Sequence, residues 1–197
     1  LRETIRQYDL PPEPFLDLIS AFKQDQDRQR YDNFAQLLDY CSRSANPVGR
    51  LYLMLFEYRD EERFLLSDWI CTGLQLANFW QDVQRDAEKG RIYIPQEDMD
   101  NFRVSENQIL ARKHDENYRR LMKFEVSRAR NYLTAGQKLE YLLPGRLKLE
   151  IRLFRQGGLT ILDKIAAWDY RTLNFRPTVN KWDKIKIFTK AAVNTGF

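Results

Sequence analysis

The sequence predicts an all-α fold, an antiparallel helix bundle forming a single domain over residues 1–197. Three observations carry this reading. Apolar residues recur at three- and four-residue spacing along most of the chain. Only 8 glycines and 7 prolines interrupt its 197 residues. No run alternates apolar and polar residues as a half-buried strand does. With 43% hydrophobic residues, the chain can bury a core without disulfides or metals. Cys41 and Cys71 lack a CxxC spacing and read as free core thiols. The single histidine, His114, makes a histidine-based metal site or a Ser-His triad a poor fit. No apolar run approaches the roughly 18 residues of a membrane span.

The elements follow in order. Pro11, Pro12 and Pro14 open the chain, and Pro14 suits the first turn of a helix. Phe15, Leu18, Ile19 and Phe22 then repeat to about Asp27. A second helix fits Asn33–Ser44, with Phe34, Leu37, Leu38 and Cys41 on one side. Pro47 biases Asn46 away from helix, so a break is expected over Ala45–Gly49, with helix resuming to about Tyr58. The longest helix runs from about Glu62 to Lys89 and stops at Gly90. Arg91–Pro95 is extended, and Ser105 with Gln108 resembles a capping box before a short helix. A long helix spans about Asp115 to Leu143, broken by Pro144-Gly145. The next covers Leu147–Ala167, with Gly157-Gly158 as a weak spot. Arg176-Pro177 marks a turn before a last helix, Lys181–Val193, whose Trp182, Ile185 and Phe188 are expected to pack inward.

The stretch QLANFWQDVQRDAEKGRIYIP, residues 75–95, carries the chemistry. At about 100° per residue, Gln75, Asn78, Asp82 and Asp86 fall on one strip of a helix. Trp69, Leu76, Trp80 and Val83 fall opposite and suit the core. Hard cations such as Mg²⁺ take oxygen ligands, typically one or two carboxylates plus substrate phosphates. Arg85, Lys89 and Arg91 stand near enough to meet a phosphate. The ladder alone equally fits a solvated face on which Asp86 pairs with Lys89 or Arg91. A second stretch, YCSRSANPVGRL from Tyr40, places small residues around a proline, which suits either a ligand gap or close helix packing.

Together the two stretches resemble the squalene/phytoene synthase family. The resemblance extends to FRQGGLTILDKI and RPTVNKWDKIKI near the C-terminus. Within the family, SANPVGRL and NFWQDV are most similar to bacterial hydroxysqualene synthases of hopanoid biosynthesis. The resemblance implies an isoprenoid synthase-type bundle with a central cavity and two facing aspartate-rich helices. It implies that Asp82 and Asp86 form the second aspartate box and, with Asn78, hold Mg²⁺. Gln75, Asn78, Arg91 and Tyr93 are the implied substrate-binding residues, and Tyr40 lines the cavity near the reacting carbons. The implied substrate is presqualene diphosphate and the implied product hydroxysqualene; NADPH enters only for a squalene synthase. Gln81 stands where many relatives carry Arg, which removes one diphosphate-holding charge.

The family's first aspartate box has no counterpart here. Asp25, Asp27 and Asp32 match the segment after it, so the chain is expected to be the C-terminal two-thirds of the fold, with the N-terminal helices missing and little activity alone. Squalene, presqualene diphosphate or phytoene synthesis remain as alternatives, as does a non-catalytic scaffold of the same fold. With 32 basic and 28 acidic residues interspersed, no nucleic-acid partner is expected. A cytoplasmic location is expected, compatible with peripheral contact with the inner membrane.

Overall fold

Side-chain caps set at least five helix starts among the described residues, one of them through Asn180, which accepts from the Asp183 amide at 2.9 Å. Asn33 accepts from the Gln36 amide, Asp60 from Arg63, Ser105 from Gln108 and Asp115 from Tyr118. Each satisfies an amide that the first helical turn leaves unpaired. The Gln108 side chain turns to Lys113 and Asp115 instead of back to Ser105, so only half of the expected capping box forms.

The computed structural model describes residues 1–193, and among them there are helices and no strand. The helices are α1 (Arg2–Gln7), α2 (Glu13–Asp27), α3 (Phe34–Ser44), α4 (Asn46–Met54), α5 (Glu61–Glu88), α6 (Gln96–Asn101), α7 (Glu106–Leu110), α8 (Glu116–Ala135), α9 (Gly145–Ala167) and α10 (Lys181–Val193). A 3₁₀ segment, Gly136–Tyr141, follows α8. None of these helices is long and apolar enough to cross a membrane.

Helix α5 is the axis of the bundle, with α4, α8, α9 and the 3₁₀ segment packed around it. Its Leu76, Trp80 and Val83 are buried, as the sequence pattern requires. Close approaches at glycine allow this packing. A Cβ on Gly136 would sit 2.8 Å from the Leu66 carbonyl oxygen and 3.2 Å from the Ile70 amide nitrogen of α5. This contact explains why α8 ends at Ala135 and tightens into a 3₁₀ turn, where one helix to Leu143 was expected. Gly136→Ala is therefore expected to cost about 1–3 kcal/mol through overpacking against backbone, measured as a lower urea midpoint at unchanged slope.

Other departures have local causes. Gly157-Gly158 does not break α9, which runs from Gly145 to Ala167; Gly158 makes room for Leu74 of α5 and Leu133 of α8. The expected break over Ala45–Gly49 narrows to Ala45 alone, because Pro47 falls in the first turn of α4, where its missing N–H costs nothing. Helix α4 stops at Met54, before the expected Tyr58, where Glu57 turns at φ 65°. Helix α6 follows Pro95 and is too short to show a period.

A buried ion cluster ties the C-terminal half together. Glu140 of the 3₁₀ segment accepts from Arg152 Nε at 2.8 Å and from Arg155 Nε, all three residues being at most 4% exposed. Arg152 Nη1 also donates to the Ala191 carbonyl at 2.8 Å, which fastens α10 to α9. One expectation fails on α10. Trp182, Ile185 and Phe188 do not pack inward; they are 73%, 54% and 55% exposed. The helix seats instead through Asp183, Ile187 and Ala191, one turn apart on the opposite side.

Candidate active site

Helix α5 presents Asp82 and Asp86 one turn apart, both half-buried. Gly90, at φ +76°, then reverses the chain in the left-handed conformation that glycine adopts without strain. The extended stretch that follows is held by two backbone bonds, Ile92 N–H to Gln29 O at 3.0 Å and Gln96 N–H to Tyr31 O at 2.8 Å. This brings Arg91 and Tyr93 back beside Asp86, against the end of α2 and the face of α3.

Tyr93 stacks on Phe79 with centroids 4.0 Å apart. Tyr40 lies 6.1 Å from Tyr93 and 5.7 Å from Tyr31, completing an aromatic wall. Tyr40 is buried, and that burial, with the Asp25 carboxylate nearby, raises its pKa well above that of an ordinary phenol. Arg91 Nη2 donates to the Asp25 backbone carbonyl at 2.9 Å. Tyr40, Asp86, Arg91 and Tyr93 thus share one locality.

The two aspartates differ. Asp82 is held by Arg176, whose Nε and Nη2 reach its two carboxylate oxygens at 2.5 and 2.9 Å. Asp86 has no hydrogen-bond or ion-pair partner for its carboxylate among the described residues. Burial, and next the negative charge of Asp82, push its pKa up to about 6. The alternative in which Asp86 simply pairs with Lys89 or Arg91 is not what forms: those residues donate their backbone amides to the Asp86 carbonyl, at 3.0 and 2.8 Å. The charges of Lys89, Arg91 and Arg176 offset the rise in its pKa only in part.

Gln81 Nε2 donates to the Pro177 carbonyl at 2.5 Å. That bond anchors the turn from which Arg176 reaches Asp82. Asn78 is exposed and sits with Gln81 at the edge of a cavity of about 390 Å³ between α5 and α9, lined by Leu74, Ala77, Phe154 and Gly157. Gln75 is half-buried and does not line that cavity. The small residues after Tyr40 serve mainly helix packing, since a Cβ on Gly49 would collide with Ser67 and Cys71 of α5.

Sequence reasoning missed Asp25 and Arg176. Asp25 was visible only as one of several acids near the end of α2, and Arg176 only as part of a turn. Neither carries a local pattern that ties it to α5. Asn78, Asp82 and Asp86 offer oxygen donors, the ligand type Mg²⁺ takes; Asn78 faces the cavity between α5 and α9, and both carboxylate oxygens of Asp82 are engaged by Arg176. Among the described residues no group of three or more His, Cys, Asp or Glu side chains converges as a complete metal cage.

The squalene/phytoene synthase family profile matches residues 1–183. Phytoene synthase of Arthrospira platensis is 32% identical over 202 aligned residues, covering 94% of this chain and 64% of that protein. The 15-cis-phytoene synthase of Synechocystis is 33% identical, covering 91% and 57%. Among solved structures, squalene synthase HpnC from Alicyclobacillus acidocaldarius superposes with a TM-score of 0.82 at 44% identity, over 84% of this chain and 63% of that one. YisP from Bacillus subtilis superposes at 0.84 with 22% identity, covering 94% of this chain and 74% of that one, a likeness of fold. The chain spans less than two-thirds of the length of the curated relatives it matches here.

Proposed function

The chain belongs to the squalene/phytoene synthase family, and on that premise we propose that it forms one wall of a Mg²⁺-dependent synthase that ionises presqualene diphosphate to give hydroxysqualene. One observation carries the reading. Asp82 and Asp86 stand a turn apart, with two guanidinium groups beside them, next to an aromatic wall. The 44% identity to the squalene synthase HpnC favours the squalene branch over the phytoene branch, and the choice of hydroxysqualene within it rests on the sequence resemblance.

Asn78, Asp82 and Asp86 would hold Mg²⁺ on this wall. When bound, the ion supplies Lewis-acid neutralisation of charge on the leaving diphosphate. Arg91 and Arg176 carry fixed positive charge to the same place and can each make a two-pronged contact with a phosphate. Their present partners are a backbone carbonyl and Asp82. Tyr40, Tyr93 and Phe79 offer ring faces to the cation left when the C–O bond breaks. The bond pair departs with the diphosphate, the cyclopropylcarbinyl cation rearranges, and water adds and loses a proton to give the alcohol. The apolar cavity between α5 and α9 takes a prenyl chain.

We propose further that the facing aspartate pair lies outside these 197 residues, so the chain alone is a half-site. With presqualene diphosphate and Mg²⁺, the 197-residue chain should release little or no diphosphate. Its full reading frame should give hydroxysqualene without NADPH. Squalene formed only with NADPH, or phytoene from geranylgeranyl diphosphate, would move the assignment to another branch of the family. The similarity to phytoene synthases makes that second arm necessary. A scaffold without activity is the reading that an intact carboxylate pair disfavours.

A further inference from the structure

Helix α10 presents two unlike faces. At about 100° per residue, Asp183, Ile187 and Ala191 form one edge. That edge is the seat: Ala191 is fully buried, and Asp183 pairs with Lys164 of α9 at 2.5 Å. The opposite side carries Trp182, Ile185 and Phe188, each more than half exposed. Exposed lysines lie among and beside them: Lys181 falls between Phe188 and Ile185 in angle, with Lys184 and Lys186 on either side of the stripe.

A soluble helix normally turns its apolar stripe inward and its charges outward. Here a second apolar stripe faces out, interleaved with positive charge alone. The one acid of the helix, Asp183, is turned inward and neutralised by Lys164. Tryptophan and phenylalanine among lysines is the composition of a helix that lies in a membrane interface, its rings at headgroup level and its ammonium groups on lipid phosphates. A protein partner would need an acidic rim around an apolar groove. A bilayer with anionic lipids offers both features over any area.

We propose that the outward face of α10 is a docking surface for an anionic lipid bilayer. Its place in the fold suits this occupant. Val179, just before α10, lines the cavity between α5 and α9, so a docked α10 sets the cavity edge near the lipid. The seat is independent of the stripe: Arg152 holds the Ala191 carbonyl and Lys164 holds Asp183, and neither contact involves Trp182, Ile185 or Phe188. Substitution of the stripe therefore leaves the helix anchored. The proposal does not require the catalytic reading, since its test measures partition and not turnover.

The test is co-sedimentation of the chain with phosphatidylcholine vesicles, pure or containing about 30% phosphatidylglycerol to set a negative surface potential. Two combined variants are compared with the parent. One carries Trp182→Ser, Ile185→Ser and Phe188→Ser; the other carries Lys181→Gln, Lys184→Gln and Lys186→Gln. Circular dichroism confirms that each stays folded. The parent should partition onto the anionic vesicles and be released by salt. The serine variant should bind at least ~20-fold more weakly, and the glutamine variant should lose about fivefold per lysine, together with the salt dependence. Equal binding by parent and variants would overturn the proposal, as would a parent that ignores anionic vesicles. A parent that is dimeric in gel filtration while the serine variant is monomeric would reassign the face to a second copy of this chain.

Discussion

Asp86→Asn is expected to cut Mg²⁺-dependent turnover of the intact synthase by two to three orders of magnitude, and to stabilise the metal-free protein above pH 6. The loss of activity follows from removing one of two carboxylates in an oxygen-donor half-site while keeping its shape. The gain in stability follows from the same desolvation. Burial and the adjacent Asp82 raise the folded pKa of Asp86 to about 6 from an ordinary 3.8. Between those two values the folded protein keeps a proton that the unfolded chain has released. Stability therefore falls as pH rises through this window, and the full penalty is present above pH 6. Asparagine carries no charge to desolvate. The variant should match the parent near pH 4 and exceed it by about 1–2 kcal/mol at pH 7.5, after discounting for partial exposure. Thermal melts in chelator at the two pH values measure this. A variant no more stable than the parent at pH 7.5 would show that Asp86 is well solvated or already paired. A large loss of turnover with a gain in stability is the pattern of a residue kept for chemistry and not for folding.

Glu140→Ala should be the most damaging single substitution to stability, costing about 3–5 kcal/mol. It removes the shared acceptor of two guanidinium groups and leaves Arg152 and Arg155 charged, buried and without that partner. For a chain of this size each kcal/mol moves the melting midpoint by roughly 2–4 °C. The fall should be accompanied by faster amide exchange in α10, because Arg152 is also the donor to the Ala191 carbonyl. Replacing all three residues by apolar ones of similar volume should recover much of the loss, since a buried ion cluster breaks even at best against a packed apolar core. A Glu140→Ala protein that melts with the parent would mean that water reaches the two arginines.

The bundle was legible because its signals are local. Helical spacing on α5, the cap at Ser105 and the stop at Gly90 each lie within a few residues of what they decide. The common strip of Asp82 and Asp86 was legible for the same reason. What was not legible depends on distant partners. Periodicity states which residues share a face and not which way that face points. On α10 the stripe of Trp182, Ile185 and Phe188 is the obvious core face by composition, yet the edge that packs contains an aspartate and an alanine. The seat is decided by Lys164 and Arg152 on another helix. Gly136 looks like any helix residue until the carbonyl of Leu66 is placed against it. Asp25 and Arg176 enter the site only through a chain reversal and a turn tethered by Gln81.

The pair between Arg176 and Asp82 closes a loop of 94 residues. That separation sets a sequence of events. At ordinary synthesis rates of about 5–20 residues per second, α5 leaves the ribosome roughly 5–20 s before its counter-charge exists. Through that interval the near counter-charge on the same helix is Arg85, whose Nε lies 3.8 Å from Asp82 in the folded chain. The Arg176–Asp82 pair is thus assembled late, and a chain that stalls short of Arg176 lacks that charge on the wall.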